Sequence, residues 1–257
     1  MLEVHKLTKC FGGLTAVNQL DLGVNRNEIL GLIGPNGAGK TTFYNVVSGF
    51  FPPTSGRVLF EGRDISRLEA HEVARRGISR TFQASTLFMK LSVLDNVFTG
   101  YHMRYRTGFL KRVLHSPSAR SEEEGFRSKA AEILGFVGMS ALKDEFAANL
   151  PHGSQRILGI AMALATDPKL LLLDEPATGM NPKEKGAMID LIRRIRDMGI
   201  TIVLVEHDMK VVMDLCDRIT VLNFGQKIAE GLPGVIKENS EVIEAYLGKG
   251  DAKADAA

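Results

Sequence analysis

Gly34-Pro35-Asn36-Gly37-Ala38-Gly39-Lys40-Thr41-Thr42 has the residue types and the spacing to hold a polyphosphate. Its glycines free the backbone to turn N–H groups onto phosphate oxygens, and a helix starting behind them adds partial positive charge. Lys40 is placed to reach the β- and γ-phosphates, and the Thr41 hydroxyl to ligate Mg²⁺. Far downstream, Asp174 and Glu175 close the apolar run Leu170–Leu173. Asp174 suits Mg²⁺ held through water, and Glu175 suits polarising a water that attacks the γ-phosphate. An acidic turn after a strand is the plain alternative, and pairing with the phosphate loop argues against it. His207, in Val205-Glu206-His207-Asp208, would approach the γ-phosphate opposite Lys40, although a lone histidine is as readily an ordinary surface or core residue. Gln83, in Thr81-Phe82-Gln83, follows a short strand and offers a contact to Mg²⁺ or its water. The pattern predicts binding of a nucleoside triphosphate.

Such groups need a scaffold that holds them at one edge. Glu28 to Ile33 reads as a buried strand leading into the loop, and Thr42 to Gly49 as a helix closing on glycine. Leu2 to Leu7 and Leu20 to Val24 read as strands flanking a turn-rich Lys9-Cys10-Phe11-Gly12-Gly13, and Gly56 to Phe60 as a further strand. A helical patch at Glu69 to Arg76 and a short strand at Ile78 to Thr81 follow. From Ser92 to about Leu164 the pattern is helical, with Ile133, Leu134, Phe136 and Val137 on one apolar face. Alternation then resumes, with strands at Leu170–Leu173, Thr201–Val205 and Arg218–Leu222 and a helix stripe of Met188, Leu191, Ile192, Ile195 and Met198. Continuous apolar strands alternating with helices predict parallel pairing between covering helices. Residues 249–257 read as a disordered tail.

At 257 residues and 44% hydrophobic, the chain can bury a sizeable core. Its 32 basic residues nearly balance 30 acidic ones, which gives no whole-molecule attraction to nucleic acid or anionic lipid. No apolar run approaches the roughly 18–20 residues that span a bilayer, and Met1 to Lys6 lacks the core of a secretory signal. Cys10 and Cys216 fit no metal or redox spacing and read as small core residues.

These elements, in this order, resemble the nucleotide-binding subunits of ABC transporters over essentially the whole chain. The resemblance makes Gly34 to Thr42 the Walker A loop, Leu170 to Asp174 Walker B, Glu175 the catalytic glutamate, Gln83 the Q-loop and His207 the switch histidine. It places Phe11 where an aromatic stacks on adenine, although core packing would by itself account for a phenylalanine there. Gly179-Met180-Asn181-Pro182 falls at the D-loop, with Asn181 in place of the usual aspartate. Leu150-Pro151-His152-Gly153-Ser154-Gln155 occupies the signature segment, followed by a helix over Arg156 to Ala165. Gly153 keeps the close backbone approach, whereas Pro151 replaces the serine that normally contacts the phosphate. That leaves the helix dipole, the backbone amides and the Ser154 or His152 side chains for the contact. The implied fold is α/β, a P-loop NTPase core of ABC type with an N-terminal antiparallel β subdomain and an inserted helical subdomain. The implied ATPase domain is 1–248, with 1–91 and 166–248 as core and β subdomain and 92–165 as the helical subdomain.

The resemblance also implies ATP and Mg²⁺ as cofactors and a second ABC ATPase subunit, identical or paralogous. It further implies transmembrane permease subunits, an indirect link to a periplasmic or extracellular solute-binding protein, and a place on the cytoplasmic face of the plasma membrane. Within the family, Phe11 to Val17, Asn45 to Phe50, Arg80 to Gln83 and Val242 to Gly248 are typical of importers for branched-chain amino acids or related amides and urea. So is the basic segment His102 to Arg112, which reads as a solvated loop or as a contact to the membrane subunit or lipid headgroups. The rivals are the ATPase of lipopolysaccharide export, which generally lacks that segment, a non-transport ABC protein, and a small-molecule kinase.

Overall fold

In a computed structural model of the chain, residues 1–81, 87–105, 107 and 116–247 are described. Gln83, most of the basic segment and the 249–257 tail lie outside them.

The N-terminal strands β1 (Leu2–Phe11) and β2 (Leu14–Val24) form an antiparallel hairpin, joined by β4 (Ser55–Phe60) and β5 (Arg63–Asp64) in a four-stranded sheet. The turn is only Gly12-Gly13. Lys9, Cys10 and Phe11 continue β1 against Val17, Thr15 and Leu14, because the backbone pairing tolerates their mixed polarity at the end of the sheet. Cys10 is therefore half-buried, whereas Cys216 is in the core.

The second sheet has six strands in the order β10-β9-β3-β8-β7-β6, where β3 is Ile29–Ile33, β6 Ile78–Arg80, β7 Leu170–Asp174, β8 Thr201–Val205, β9 Arg218–Asn223 and β10 Gln226–Gly231. The pairs β9-β3, β3-β8, β8-β7 and β7-β6 are parallel; only β10 runs antiparallel. Leu30, Leu32, Leu170, Leu172, Val203 and Val205 face the antiparallel sheet and the loop helix Lys40–Val47. Ile29, Ile33, Leu171, Leu173, Ile202 and Leu204 face the helices on the other side. Both faces are covered, which is why these strands read as unbroken apolar runs and not as alternation. Each such side chain removed from water contributes about 1.5–3 kcal/mol.

Between β6 and β7 the described chain is helical: Val93–Thr99, Pro117–Phe136 and His152–Ala165, with short 3₁₀ turns. The helices are joined by Val97, Tyr101, Leu134, Val137 and Leu158, all in the core. From the basic segment, Arg104 pairs with Asp167 at 3.0 Å and Tyr105 packs edge-on to Phe126 at 5.0 Å, so its first residues fold back onto the helices. The helix Pro182–Asp197 buries Met188, Leu191, Ile192 and Ile195. Met198 does not continue the stripe. It follows the last helical residue, ahead of Gly199 at φ 90°, and is 60% exposed.

Candidate functional site

The parallel sheet sends β3, β8, β7 and β6 in one direction as neighbours, so the segments after their C-terminal ends meet at one edge. β3 delivers the phosphate loop, β7 Asp174 and Glu175, β8 Glu206 and His207, and β6 Arg80 and Thr81. A helix begins directly behind the loop at Lys40; its N-cap Gly39 makes no side-chain bond, and its first turn holds no acidic residue. Its first amides are thus left for an anion. Gly37 and Gly39 have φ of 80° and 102°, which L side chains rarely adopt, and a Cβ on Gly37 would meet nothing within 4 Å.

Lys40 Nζ donates to the carbonyls of Gly34 at 2.5 Å and Pro35 at 2.9 Å, lying along the loop it belongs to. Burial lowers its pKa, against the raising effect of Glu175 and Asp174. Asp174 is buried and accepts from Arg80 at 3.0 Å; burial raises its carboxyl, and Arg80 opposes that. The Thr41 hydroxyl on the exposed start of the helix and the Asp174 carboxylate are hard oxygen donors, the kind Mg²⁺ takes alongside phosphate oxygens and water. The donor chemistry therefore fits a magnesium nucleotide.

Glu175 is held from several sides. Its φ is 49°, a left-handed conformation costly for a glutamate and maintained by its surroundings. Its N–H donates to Val205 at 2.8 Å, its carbonyl accepts from Arg156 at 3.0 Å, and its carboxylate accepts from Thr178 at 3.3 Å. His207 Nδ1 lies 3.8 Å from Glu175 Oε1 and the ring is well exposed, so the histidine is neither core nor isolated. Glu206 beside it is 1% exposed, accepts from the Ala177 and His207 amides at 2.8 and 3.2 Å, and is raised in pKa by burial. It ties the segment after β7 to the end of β8. Sequence reasoning gave Glu206, Arg156 and Arg80 no role; a charged residue at the end of an apolar strand was the available signal for two of them.

Phe11 is 42% exposed, which removes core packing as its explanation. Its ring meets Phe51 edge-on at 5.6 Å, with Lys9 Nζ 5.1 Å from its centroid. The signature-segment helix begins at His152, four residues earlier than its apolar pattern indicates. Pro151 is its N-cap without a side-chain bond, and the Gln155 amide is the first to bond inside it, to the Pro151 carbonyl. The amides of His152, Gly153 and Ser154 have no intrahelical partner. Asn181 caps the helix Pro182–Asp197 in a reciprocal capping box with Glu184, work that asparagine does as well as aspartate. Gln83 lies outside the described residues.

Residues 17–178 match the ABC transporter family, and residues 226–252 match the branched-chain amino acid ATP-binding cassette transporter family. The chain is an ABC transporter ATPase. The cassette is 42% identical over 250 residues to the high-affinity branched-chain amino acid transport ATP-binding protein BraF of Pseudomonas aeruginosa, covering 97% of this chain and 98% of that one. It is 32% identical over 249 residues to the lipopolysaccharide export ATP-binding protein LptB of Haemophilus influenzae, at 97% and 98% coverage. Among solved structures it resembles an ATP-binding cassette of an ABC transporter in its ADP conformation, with TM-score 0.85, 32% identity, and 97% and 99% coverage. A dimeric cassette in a post-hydrolysis state bound to ADP and Pi is similar at TM-score 0.77 and 26% identity, covering 91% of this chain and 99% of that one. The cassette has, among its described residues, no helix long and apolar enough to cross a membrane.

Proposed function

We propose that the cassette binds and hydrolyses Mg-ATP between two ABC ATPase subunits and so powers an importer for branched-chain amino acids or related polar solutes. The carrying observation is the convergence of Lys40, Thr41, Asp174, Glu175 and His207 at the ends of neighbouring parallel strands. Lys40 swings from its loop carbonyls to the β- and γ-phosphates, and Phe11 stacks on adenine. Thr41 and Asp174 would hold Mg²⁺, which would neutralise developing charge on the phosphate oxygens. Glu175 accepts the proton of the attacking water at its carboxylate, and His207 stabilises the γ-phosphate from the opposite side. Gln83 belongs with this set by its position after β6.

The uncapped amides of Gly153 and Ser154 are offered to the γ-phosphate bound by the other subunit, which makes each site incomplete without a second copy or a close paralogue. Nucleotide charge at the seam then couples association to nucleotide state. Transmembrane permease subunits receive the motion, with the solute-binding protein acting through them, and the cassette works on the cytoplasmic face of the membrane. A cleft of about 610 Å³ between the signature-segment helix and the helix Ala70–Arg75, lined by Gln155, Arg156, Ala74 and Met162, is the surface offered to them. The match at 226–252 and the higher identity to the amino-acid transport proteins favour this solute class over lipopolysaccharide export.

Glu175→Gln tests the reading. Phosphate release should fall by roughly 10²–10⁴-fold, with an ATP-stabilised dimer seen by sizing chromatography. Full turnover in that variant would remove Glu175 from its role. Co-purification that recovers no permease would instead favour a non-transport ATPase.

A further inference from the structure

Arg80 closes β6 with a side chain only 6% exposed. A buried charge is tolerated where its surroundings partner it on several sides, and here they do. One terminal nitrogen donates to Asp174 Oδ2 at 3.0 Å and the other to Asn45 Oδ1 at 2.6 Å. The guanidinium carbon lies 5.3 Å from the ring centroid of Tyr44, a fully buried residue whose hydroxyl is 3.0 and 2.7 Å from the carbonyls of Leu173 and Val203. Asn45 stands four residues beyond Thr41 on the loop helix, so the two share a helix face. Thr81, next in the chain, accepts from the Asp174 amide at 3.3 Å and donates its own amide to Leu172 at 3.0 Å.

The planar fork of Arg80 thus spans two elements far apart in sequence: the helix that carries Thr41 and the strand that carries Asp174. We propose that Arg80 is a positioning residue for the metal of the bound nucleotide. It fixes the Asp174 carboxylate at a set separation from the Thr41 hydroxyl through Asn45, and it touches neither nucleotide nor metal. The inference rests on the proposed metal role of Asp174. One carboxylate oxygen is committed to Arg80, and the other is left for the metal or its water. Lysine would supply the charge as a single point and could not hold both partners in one plane.

The test separates metal affinity from nucleotide affinity. Binding of a fluorescent ATP analogue to the full-length chain is measured in EDTA and then titrated with Mg²⁺, for Arg80→Ala, Arg80→Lys, Asn45→Ala and Asp174→Asn. Metal-free affinity should change less than about twofold in the Arg80 and Asn45 variants. The Mg²⁺ concentration for half-maximal enhancement should rise about 10–100-fold in Arg80→Ala, the range for lost outer partners of a metal ligand, and by less in Arg80→Lys and Asn45→Ala. Arg80→Lys keeps the buried charge paired, so it reports if Arg80→Ala fails to fold. Equal weakening with and without metal would mean a merely structural arginine and overturn the proposal, as would an unchanged Mg²⁺ requirement in Arg80→Lys, Asn45→Ala and any folded Arg80→Ala. An unchanged requirement in Asp174→Asn would instead bring down the metal role of Asp174, and the role of Arg80 with it.

Discussion

The phosphate loop and the signature segment both set glycine at a helix N-terminus, but their glycines answer to different neighbours. In the loop, a Cβ on Gly34 would lie 2.1 Å from the Leu222 carbonyl oxygen, and one on Gly39 would lie 2.5 Å from that of Ala16. Both also hold φ values outside the reach of L side chains. In the signature segment, a Cβ on Gly153 would meet the end of the Glu184 side chain at 3.4 Å and the Met180 methyl at 3.8 Å, within ordinary contact, and its φ lies outside the left-handed range. The loop glycines are demanded by their own chain. Among the described residues nothing demands Gly153, and the proposed function assigns the demand to what approaches the uncapped amides from outside. The proposed function gives one helix end to a ligand held by its own subunit and the other to a ligand held by a second subunit.

The sharpest way to break this contrast is Gly34→Ala. The added methyl collides with backbone that cannot move without disturbing β9, and the φ of 149° adds strain. The expected loss is more than about 3 kcal/mol of stability, with nucleotide binding abolished in whatever folds. A urea melt and an equilibrium binding titration read both. A variant with wild-type stability would show that the loop yields more than its packing indicates.

Gly153→Asp probes the other end. A carboxylate in the first turn is favoured by the helix dipole and disfavoured by Glu184 nearby, so stability should stay within about 1 kcal/mol of wild type. ATP binding to the single subunit should be unchanged. Turnover should fall by about a hundredfold or more, because like charges brought together at an interface cost several kcal/mol. A fall in the melting transition that matches the fall in turnover would mean that Gly153 serves its own subunit after all.

The same contrast explains what could be read from the sequence. The phosphate loop was legible because strand, loop and helix are contiguous, so its chemistry and scaffold share one stretch of chain. Strands β7 and β8 were legible because burial on both faces leaves an unbroken apolar run. The start of the signature-segment helix was not, since His152, Gly153 and Ser154 carry no apolar periodicity and a proline N-cap gives no side-chain signal. Met198 sits at stripe spacing one residue past the real end of its helix, and periodicity alone cannot see a helix stop. The Arg80 bridge was invisible for another reason: Asn45, Arg80 and Asp174 belong to separate elements, and they meet only where the loop helix packs on the paired strands β6 and β7. Glu206 belongs to no motif of its own, and the tie it makes between the segment after β7 and the end of β8 exists only in the fold.

The smallest effect expected is also the one that resolves the role of Pro151. With no side-chain cap at that position, three successive amides, of His152, Gly153 and Ser154, remain unpaired within the helix and can converge on one anion. A serine there could give its hydroxyl to the phosphate or turn it back onto these amides as a cap. Proline offers neither, and it gives up no helix hydrogen bond, since the N–H of an N-cap residue has no intrahelical acceptor. Backbone groups then suffice, and Ser154→Ala and His152→Ala should each change steady-state ATP turnover by less than about threefold. A hydrogen bond to a charged acceptor is worth about 1.5–3 kcal/mol, or more than tenfold in rate if made only as the site closes. A tenfold or greater loss in either variant would therefore assign part of the contact to that side chain, and would mean that proline at 151 had shifted the contact along the helix rather than cleared the way for its amides.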